Sequence, residues 1–332
     1  MYRVIFPMDN LRKPKCSIVV RCFNEEPHIS KLLSGISQQI LKDVEIVLVD
    51  SGSTDKTLKI ASRYPVRIIH INPEDFSFGR ALNRGCEAAT ADFIVMASAH
   101  VYPVYKDWLD KLLSFFQDGK VGLVYGKQRG NELSRYSEHQ IFAHWFPDKS
   151  NSHQSHPFCN NANAAIRKSL WEQLPYDENL TGLEDIDWAK RAIEMRYKIA
   201  YSAEAEIIHI HDETYSSILN RYRREALALK QIIPEEKFSL RDFARLFLIN
   251  TWNDLHHAWQ ERLLAREFLS IVAFRFMQFW GTYRGFSQNG PVTNRLKQRF
   301  YYPNNWRQAS RSVTRNDATI RIDYTIKAKE ET

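Results

Sequence analysis

Cysteine is scarce in this chain. The four thiols in 332 residues (Cys16, Cys22, Cys86 and Cys159) form no Cys-x-x-Cys pair and no zinc-ligand spacing, which excludes a disulfide framework or zinc ribbon and fits a reducing compartment. Long apolar runs are missing too. Arg262, Arg266, Glu267 and Arg275 interrupt the best candidate, whereas a spanning helix needs about 18 or more apolar residues. The opening stretch, MYRVIFPMDNLRKPK, holds no apolar signal core, so a cytoplasmic placement is expected. No Gly-x-Gly-x-x-Gly follows the first apolar run, where residues 21–26 read Arg-Cys-Phe-Asn-Glu-Glu. Without glycines the backbone cannot approach a pyrophosphate closely, which argues against a nicotinamide or flavin enzyme. Internal repeats and low-complexity segments are absent.

With 44% hydrophobic and 26% charged residues, the chain can bury a real core in one large domain or two ordinary ones. Its net charge of +7 is unevenly placed: residues 241–332 hold 15 Lys+Arg against 8 Asp+Glu, leaving 31 of each sign before them. The same C-terminal region is rich in aromatics, from Trp252 and Trp259 to Tyr302 and Trp306. Basic residues mixed with aromatics suit an anionic membrane surface, a nucleic acid or an anionic glycan. The neutral balance of residues 1–240 counts against nucleic acid.

From Cys16 onward, apolar strand-like runs alternate with helical patterns, which predicts a mostly parallel α/β sheet with covering helices. Strands are expected at 16–22, 44–49, 66–71, 93–97, 122–125 and 206–210, and helices at 27–39, 55–64, 78–89 and 106–117. In the first helix Ile29, Leu32, Leu33 and Ile36 recur at helical spacing. The polar stretch from Gly126 to Asn163 carries little secondary-structure signal, and loops of that length in compact domains tend to be functional. A helix is expected around residues 186–195, and long amphipathic helices from Tyr215 onward. From Ser312 the chain reads as a weakly ordered or edge-strand tail.

Three places invite chemistry. The run Phe93-Ile94-Val95-Met96-Ala97 ends in Ser98-Ala99-His100, putting a histidine at the carboxyl end of a strand, where open α/β sheets place ligands. There His100 can bind a metal, titrate near neutrality or simply satisfy a loop. The second strand ends in Asp50-Ser51-Gly52-Ser53-Thr54-Asp55; Asp50 can accept from a ribose hydroxyl or a base N–H, or belong to a helix-capping turn. Glu184-Asp185-Ile186-Asp187 is either a solvated acidic first turn or a source of a general base.

Taken together, SIVVRCFNEE at 17–26, VLVDSGSTD at 47–55, FGRALNRG at 78–85 and TGLED at 181–185 resemble the family 2 glycosyltransferases, which have the GT-A fold. Their rhamnosyltransferase-like members are especially similar, with His209-Ile210-His211, Tyr215 and Arg221-Tyr222-Arg223-Arg224 at the last strand and beyond. The resemblance implies a GT-A domain over 16–225, preceded by a lead at 1–15 and followed by a helical, basic-aromatic region at 226–311 and a tail at 312–332. It implies inverting transfer from a nucleotide-sugar donor to a hydroxyl of a glycan or lipid-linked glycan, in surface polysaccharide assembly. Phe23, Asn24, Glu25, Asp50 and Ser51 would hold the nucleoside, Arg80 or Asn83 would lie near the diphosphate with Ser98 and His100, and Asp185, beside Glu184, would be the catalytic base. Ser98-Ala99-His100 stands where the family usually has Asp-x-Asp, whose carboxylates hold a divalent cation. Imidazole suits Mn²⁺ better than Mg²⁺, so His100, with His209 or His211, is a candidate ligand set. The alternative is metal-free catalysis with arginines neutralising the leaving phosphate. Peripheral membrane contact through the C-terminal region would suit a lipid-linked acceptor, and a catalytically degenerate scaffold is the competing expectation.

Overall fold

The structure is a computed structural model that describes residues 13–289 and 320–324. Nine strands form a single sheet in the order β3-β2-β1-β4-β8-β6-β9-β5, with β7 paired to β9. They are β1 (Cys16–Cys22), β2 (Val44–Asp50), β3 (Arg67–His70), β4 (Phe93–Ser98), β5 (Val101–Pro103), β6 (Val121–Arg129), β7 (Asn151–Gln154), β8 (Asn163–Arg167) and β9 (Lys198–His209). The parallel pairings of β3, β2, β1 and β4, and of β6 with β9, make six strands run one way, while β5, β7 and β8 run against them.

Helices α1 (Ile29–Ser37), α2 (Thr57–Ala61), α3 (Phe78–Ala88), α4 (Trp108–Leu113), α5 (Tyr136–Trp145), α6 (Lys168–Gln173) and α7 (Glu184–Glu194) connect these strands. Three longer helices follow: α8 (Tyr215–Ile232), α9 (Leu240–Gln260) and α10 (Leu264–Phe286). Both faces of the sheet are apolar because both are covered. One buried cluster includes Ile18, Leu32, Leu33, Leu48, Val95 and Trp108; the other includes Val19, Leu82, Met96, Ile166, Trp188 and Tyr201.

The sequence reading differs from the structure in the second half of the sheet. β8 is short, polar at both ends and buried at every residue but Arg167, so it offers little local signal. β9 begins at Lys198 rather than near 206, since Ser202-Ala203-Glu204-Ala205 interrupts the apolar pattern. The stretch from 126 to 163 is not loop throughout: it contains the end of β6, all of α5 and all of β7. Of the expected tail, Arg321 bridges Tyr105 and Ile322 is buried. The lead up to residue 12 and the basic-aromatic segment 290–319 lie outside the described residues.

Candidate active site

The carboxyl ends of β1, β2 and β4 lie side by side, and the loops after β1 and β2 bind each other. Asn24 adopts a left-handed backbone at φ 54°, which Asn tolerates well. Its N–H donates to Ser53 Oγ at 2.9 Å, and its Oδ1 accepts from the Thr54 N–H at 2.8 Å. The Glu25 N–H donates to Thr57 Oγ1 at 2.7 Å. Asp50 is buried and accepts from the N–H groups of Gly52 and Ser53, both at 3.1 Å. Gly52 is held at φ 96°, a conformation a side chain would strain. Ser51 donates its hydroxyl to the Cys22 carbonyl, and Phe23 is half-buried in the same turn. His70, at the end of β3, reaches Asp50 at 3.3 Å. Beside it opens a cavity of about 540 Å³ lined by residues that include His70, Asn72, Arg80, Arg84 and Glu178.

His100 sits in the turn between β4 and β5. Because β5 pairs antiparallel with β9 at Val101↔His209, and the Ile210 N–H donates to the His100 carbonyl, the ring of His100 stacks on that of His209 with centroids 5.0 Å apart. The parallel neighbours β1 and β4 bring Glu25 to His100, where Oε1 meets Nδ1 at 2.7 Å. Burial works against the imidazolium, but the Glu25 carboxylate outweighs it and the His100 pKa is raised.

His209 and His211 complete a cluster in which one nitrogen of each of the three rings lies within 4.8 Å of the others. His209 Nδ1 is 2.8 Å from Gln128 Oε1, and His211 Nδ1 is 2.6 Å from Glu138 Oε1. Those acceptors fix the Nδ1–H tautomer and leave the Nε2 lone pairs facing each other at 3.0 Å. Burial, reinforced by His211 and His100, pushes the His209 pKa well below its ordinary value. Two ring nitrogens so close need a proton or a cation between them, and outer acceptors of this kind orient metal-bound histidines. The donor set therefore fits a divalent transition ion. Glu138 also accepts from Arg221 at 3.0 Å, and Arg221 reaches Glu213 at 2.7 Å. Burial pushes Glu138 up, but His211 and Arg221 hold it down to about 2.

Asp185 stands in the first turn of α7, whose preceding residue Leu183 is left-handed at φ 56°. This turn is not solvated: Glu184 and Asp185 are only 5% and 9% exposed. Asp185 accepts from the Asn161 and Ile186 N–H groups at 3.1 and 2.9 Å, while Glu184 meets Arg21 at 3.3 Å. Burial first, and the Glu184 charge second, raise the Asp185 pKa to about 7 against those hydrogen bonds. Asp187 faces away and pairs with Arg191.

One cleft of about 340 Å³ collects Ser98, His100, Glu184, Asp185, His209 and His211, together with Arg21, Arg221 and Arg224. The guanidiniums of Arg21 and Arg224 both lie over the ring of Phe78, at 5.0 and 4.7 Å from its centroid. Glu25 Oε2 and Asn161 Nδ2 are buried without hydrogen-bond partners among the described residues. Arg80 and Asn83 are placed differently. Arg80 pairs with Glu178 at 2.7 Å on the neighbouring cavity. Asn83 is committed to the loop before α7: it donates to the Tyr176 carbonyl and Glu178 and accepts from Trp171 and the Tyr176 N–H. Local sequence gives no notice of Arg21, Gln128 or Glu138, since their partners lie many tens of residues away.

The open sheet, with acidic, imidazole and guanidinium groups gathered at its strand ends, has the GT-A fold of a glycosyltransferase. The chain belongs to glycosyl transferase family 2, whose family description matches residues 17–174. It is 30% identical over 221 residues to the O-antigen chain rhamnosyltransferase WbaN of Salmonella anatum, covering 63% of this chain and 70% of that one. It is 27% identical over 220 residues to the O-antigen chain rhamnosyltransferase RfbN of Salmonella typhimurium, with the same coverages of 63% and 70%. Among solved structures, a mannosyltransferase from Pyrobaculum calidifontis in complex with GDP-Man and Mn²⁺ shares the fold at TM-score 0.58 and 19% identity, over 83% of this chain and 88% of that one.

Proposed function

We propose that this glycosyltransferase moves a sugar, with inversion, from a nucleotide-activated donor to a hydroxyl of a growing glycan in surface polysaccharide assembly. The observation that carries the reading is Asp185, a buried carboxylate with a pKa raised to about 7, in the cleft that also holds the histidine cluster and Arg21. A base of that pKa is matched to neutral pH. As the acceptor oxygen bonds to the anomeric carbon, the bond from that carbon to the diphosphate oxygen breaks and the acceptor proton passes to Asp185. Glu184 stays paired to Arg21 and keeps Asp185 basic by repulsion.

The nucleoside lies against the 23–26 and 50–53 turns, with Asp50 accepting from its base or ribose. Arg21 and Arg224, spread on Phe78, receive the diphosphate charge. His100, His209 and His211 would hold a divalent ion, with Mn²⁺ suited better than Mg²⁺ to three imidazoles. Such an ion supplies charge neutralisation at the departing diphosphate. The names of the two Salmonella relatives favour a deoxyhexose donor of the rhamnose type, and a lipid-linked acceptor would have the enzyme work at a membrane surface. The buried acidic pair gives the site a working base, which a degenerate scaffold has no need to hold.

The test is a thermal-shift screen of UDP-, dTDP-, GDP- and CMP-sugars, with and without Mn²⁺. One donor should raise the midpoint and then be consumed by the native protein but not by Asp185→Asn. Stabilisation by none of them, or full turnover by the variant, would overturn the reading.

A further inference from the structure

Of the twelve large apolar side chains exposed among the described residues, eight lie on the α9–α10 hairpin, whereas Ile40, Trp145, Met195 and Ile320 are scattered singly. Isolated exposed apolar residues need no explanation, but a concentrated patch does. The pattern within α9 is regular. Arg241, Arg245, Leu248, Trp252 and Trp259 fall at i, i+4, i+7, i+11 and i+18, a stripe within about 60° of arc at 100° per residue. Trp252 is 71% exposed and Trp259 63%. The opposite side of α9 carries Phe243, Phe247 and Asp254, which face α10: Phe243 and Phe247 pack on Phe276, and Asp254 forms a buried ion pair with Arg275 at 2.7 Å. The outward stripe is therefore no part of the hairpin's own core. On α10, Leu269 is 78% exposed, one turn from the exposed Arg266.

Charge selects the occupant. The hairpin's exposed cations are Arg241, Arg245, Arg262, Arg266 and, at the far end of α10, Arg284. Of its four carboxylates, Asp254 is paired inside, Asp242 caps the start of α9 from Ser239 and lies 3.7 Å from Arg245, Glu267 meets Arg266 at 3.2 Å, and Glu261 is exposed in the turn beside Arg262. Tryptophan and leucine on one face of a helix, with arginines on the same stripe, suit the headgroup boundary of an anionic bilayer. No helix among the described residues is long and apolar enough to cross a membrane, so the hairpin would lie on the surface.

We infer that the outer face of α9, with Leu269 and Arg266 of α10, docks this enzyme on an anionic lipid surface. The docked face is held firmly to the cleft. Helix α10 packs on α8 at Gly281 and Gly285, where an added Cβ would come within 2.5 Å of the Leu219 carbonyl oxygen and 2.6 Å of that of Arg223. Helix α8 itself lines the cleft with Arg221 and Arg224. The stack α9–α10–α8 thus sets the distance between lipid and site at a few helix diameters, each about 10 Å.

Cosedimentation of the full chain with vesicles tests this without donor or acceptor, so its outcome is independent of the sugar chemistry proposed above. Vesicles of phosphatidylcholine with about one third phosphatidylglycerol should sediment the protein, and phosphatidylcholine alone should do so much less, with binding falling as salt rises. Trp252→Glu combined with Leu248→Glu should cut partition at least tenfold. Their exposure predicts an unchanged thermal midpoint, which checks that the variant is folded. Failure of the native protein to bind anionic vesicles overturns the inference, as does equal binding by the folded variant. So does a native dimer in solution that the same substitutions convert to monomer, because a second copy would then own the face.

Discussion

The two sides of the cleft are built in opposite ways. On the β1–β2 side, loops that follow neighbouring parallel strands tie themselves together mainly with backbone donors: Asp50 accepts from residues two and three places on, and Asn24 and Glu25 bond to the 53–57 turn. On the β6–β9 side, ionisable and amide side chains from distant parts of the chain meet in the interior: His209 with Gln128, His211 with Glu138, Glu138 with Arg221. The first side tolerates loss of a partner because turn backbones and solvent can substitute. The second cannot, since a buried charge without its partner is expensive.

The largest effect is expected at the residue between these two sides. Asp185→Asn should lower transfer by about 10²–10⁴-fold without lowering the thermal midpoint, measured by donor turnover beside differential scanning calorimetry; retained turnover would remove Asp185 from the mechanism. In the native enzyme the rate should rise with pH toward about 7, where the base ionises. Its raised pKa also means that ionising Asp185 costs stability as pH climbs from the ordinary carboxylate range through 7.

Glu138→Gln strikes the buried side directly. It leaves His211 and Arg221 without their shared anion, and breaking a buried pair costs about 3–5 kcal/mol. The pH dependence has the opposite sign to that of Asp185. A carboxyl held down to about 2 contributes stability that is full above its ordinary pKa near 4.5 and lost as pH falls toward 2. Urea unfolding should therefore separate native and variant proteins at pH 7, with the gap narrowing below about 4.5 and closing only as pH approaches 2. A constant difference would mean that the charge of Glu138 is not what matters.

Gln128→Ala is milder, because it removes only the acceptor that orients His209. Outer partners of this kind typically change metal affinity 10–100-fold. Calorimetric titration with MnCl₂ measures the change. Equal Mn²⁺ affinity in the two proteins would detach Gln128 from the cluster, and no binding by the native protein would remove the metal reading and leave the arginines to neutralise the diphosphate.

This division also sets what the sequence could disclose. The strands β1, β2 and β4 are compact apolar runs, each ending in a polar turn, so their bounds and the roles of Asp50 and His100 as strand-end residues are readable locally. Asp185 is readable as part of an acidic motif, but its burial is not, since that depends on Asn161 and Cys159 arriving from the loop before β8. The helix that carries Glu138 escapes notice because its inward face presents a carboxylate, which reads as solvent-facing until His211 and Arg221 are brought to it. β8 escapes because five residues with Asn163 and Arg167 at their ends look like loop, although Asn163 is fully buried and donates to the Lys127 and Ala205 carbonyls.

Asn83 gives the smallest effect and the finest test of the contrast. Its motif neighbour Arg80 borders the cavity beside His70, whereas the Asn83 amide is occupied by Tyr176, Glu178 and Trp171. If those bonds are its role, Asn83→Ala should destabilise the fold by about 1–3 kcal/mol, the cost of leaving buried partners unpaired, with donor affinity unchanged once the protein is folded. Asp50→Asn should do the reverse, weakening donor binding by about tenfold while the loop keeps most of its stability, because an amide oxygen can still accept from Gly52 or Ser53. Midpoints and donor dissociation constants for both variants decide it. A loss of donor affinity in Asn83→Ala at full stability would move that residue from the scaffold to the diphosphate.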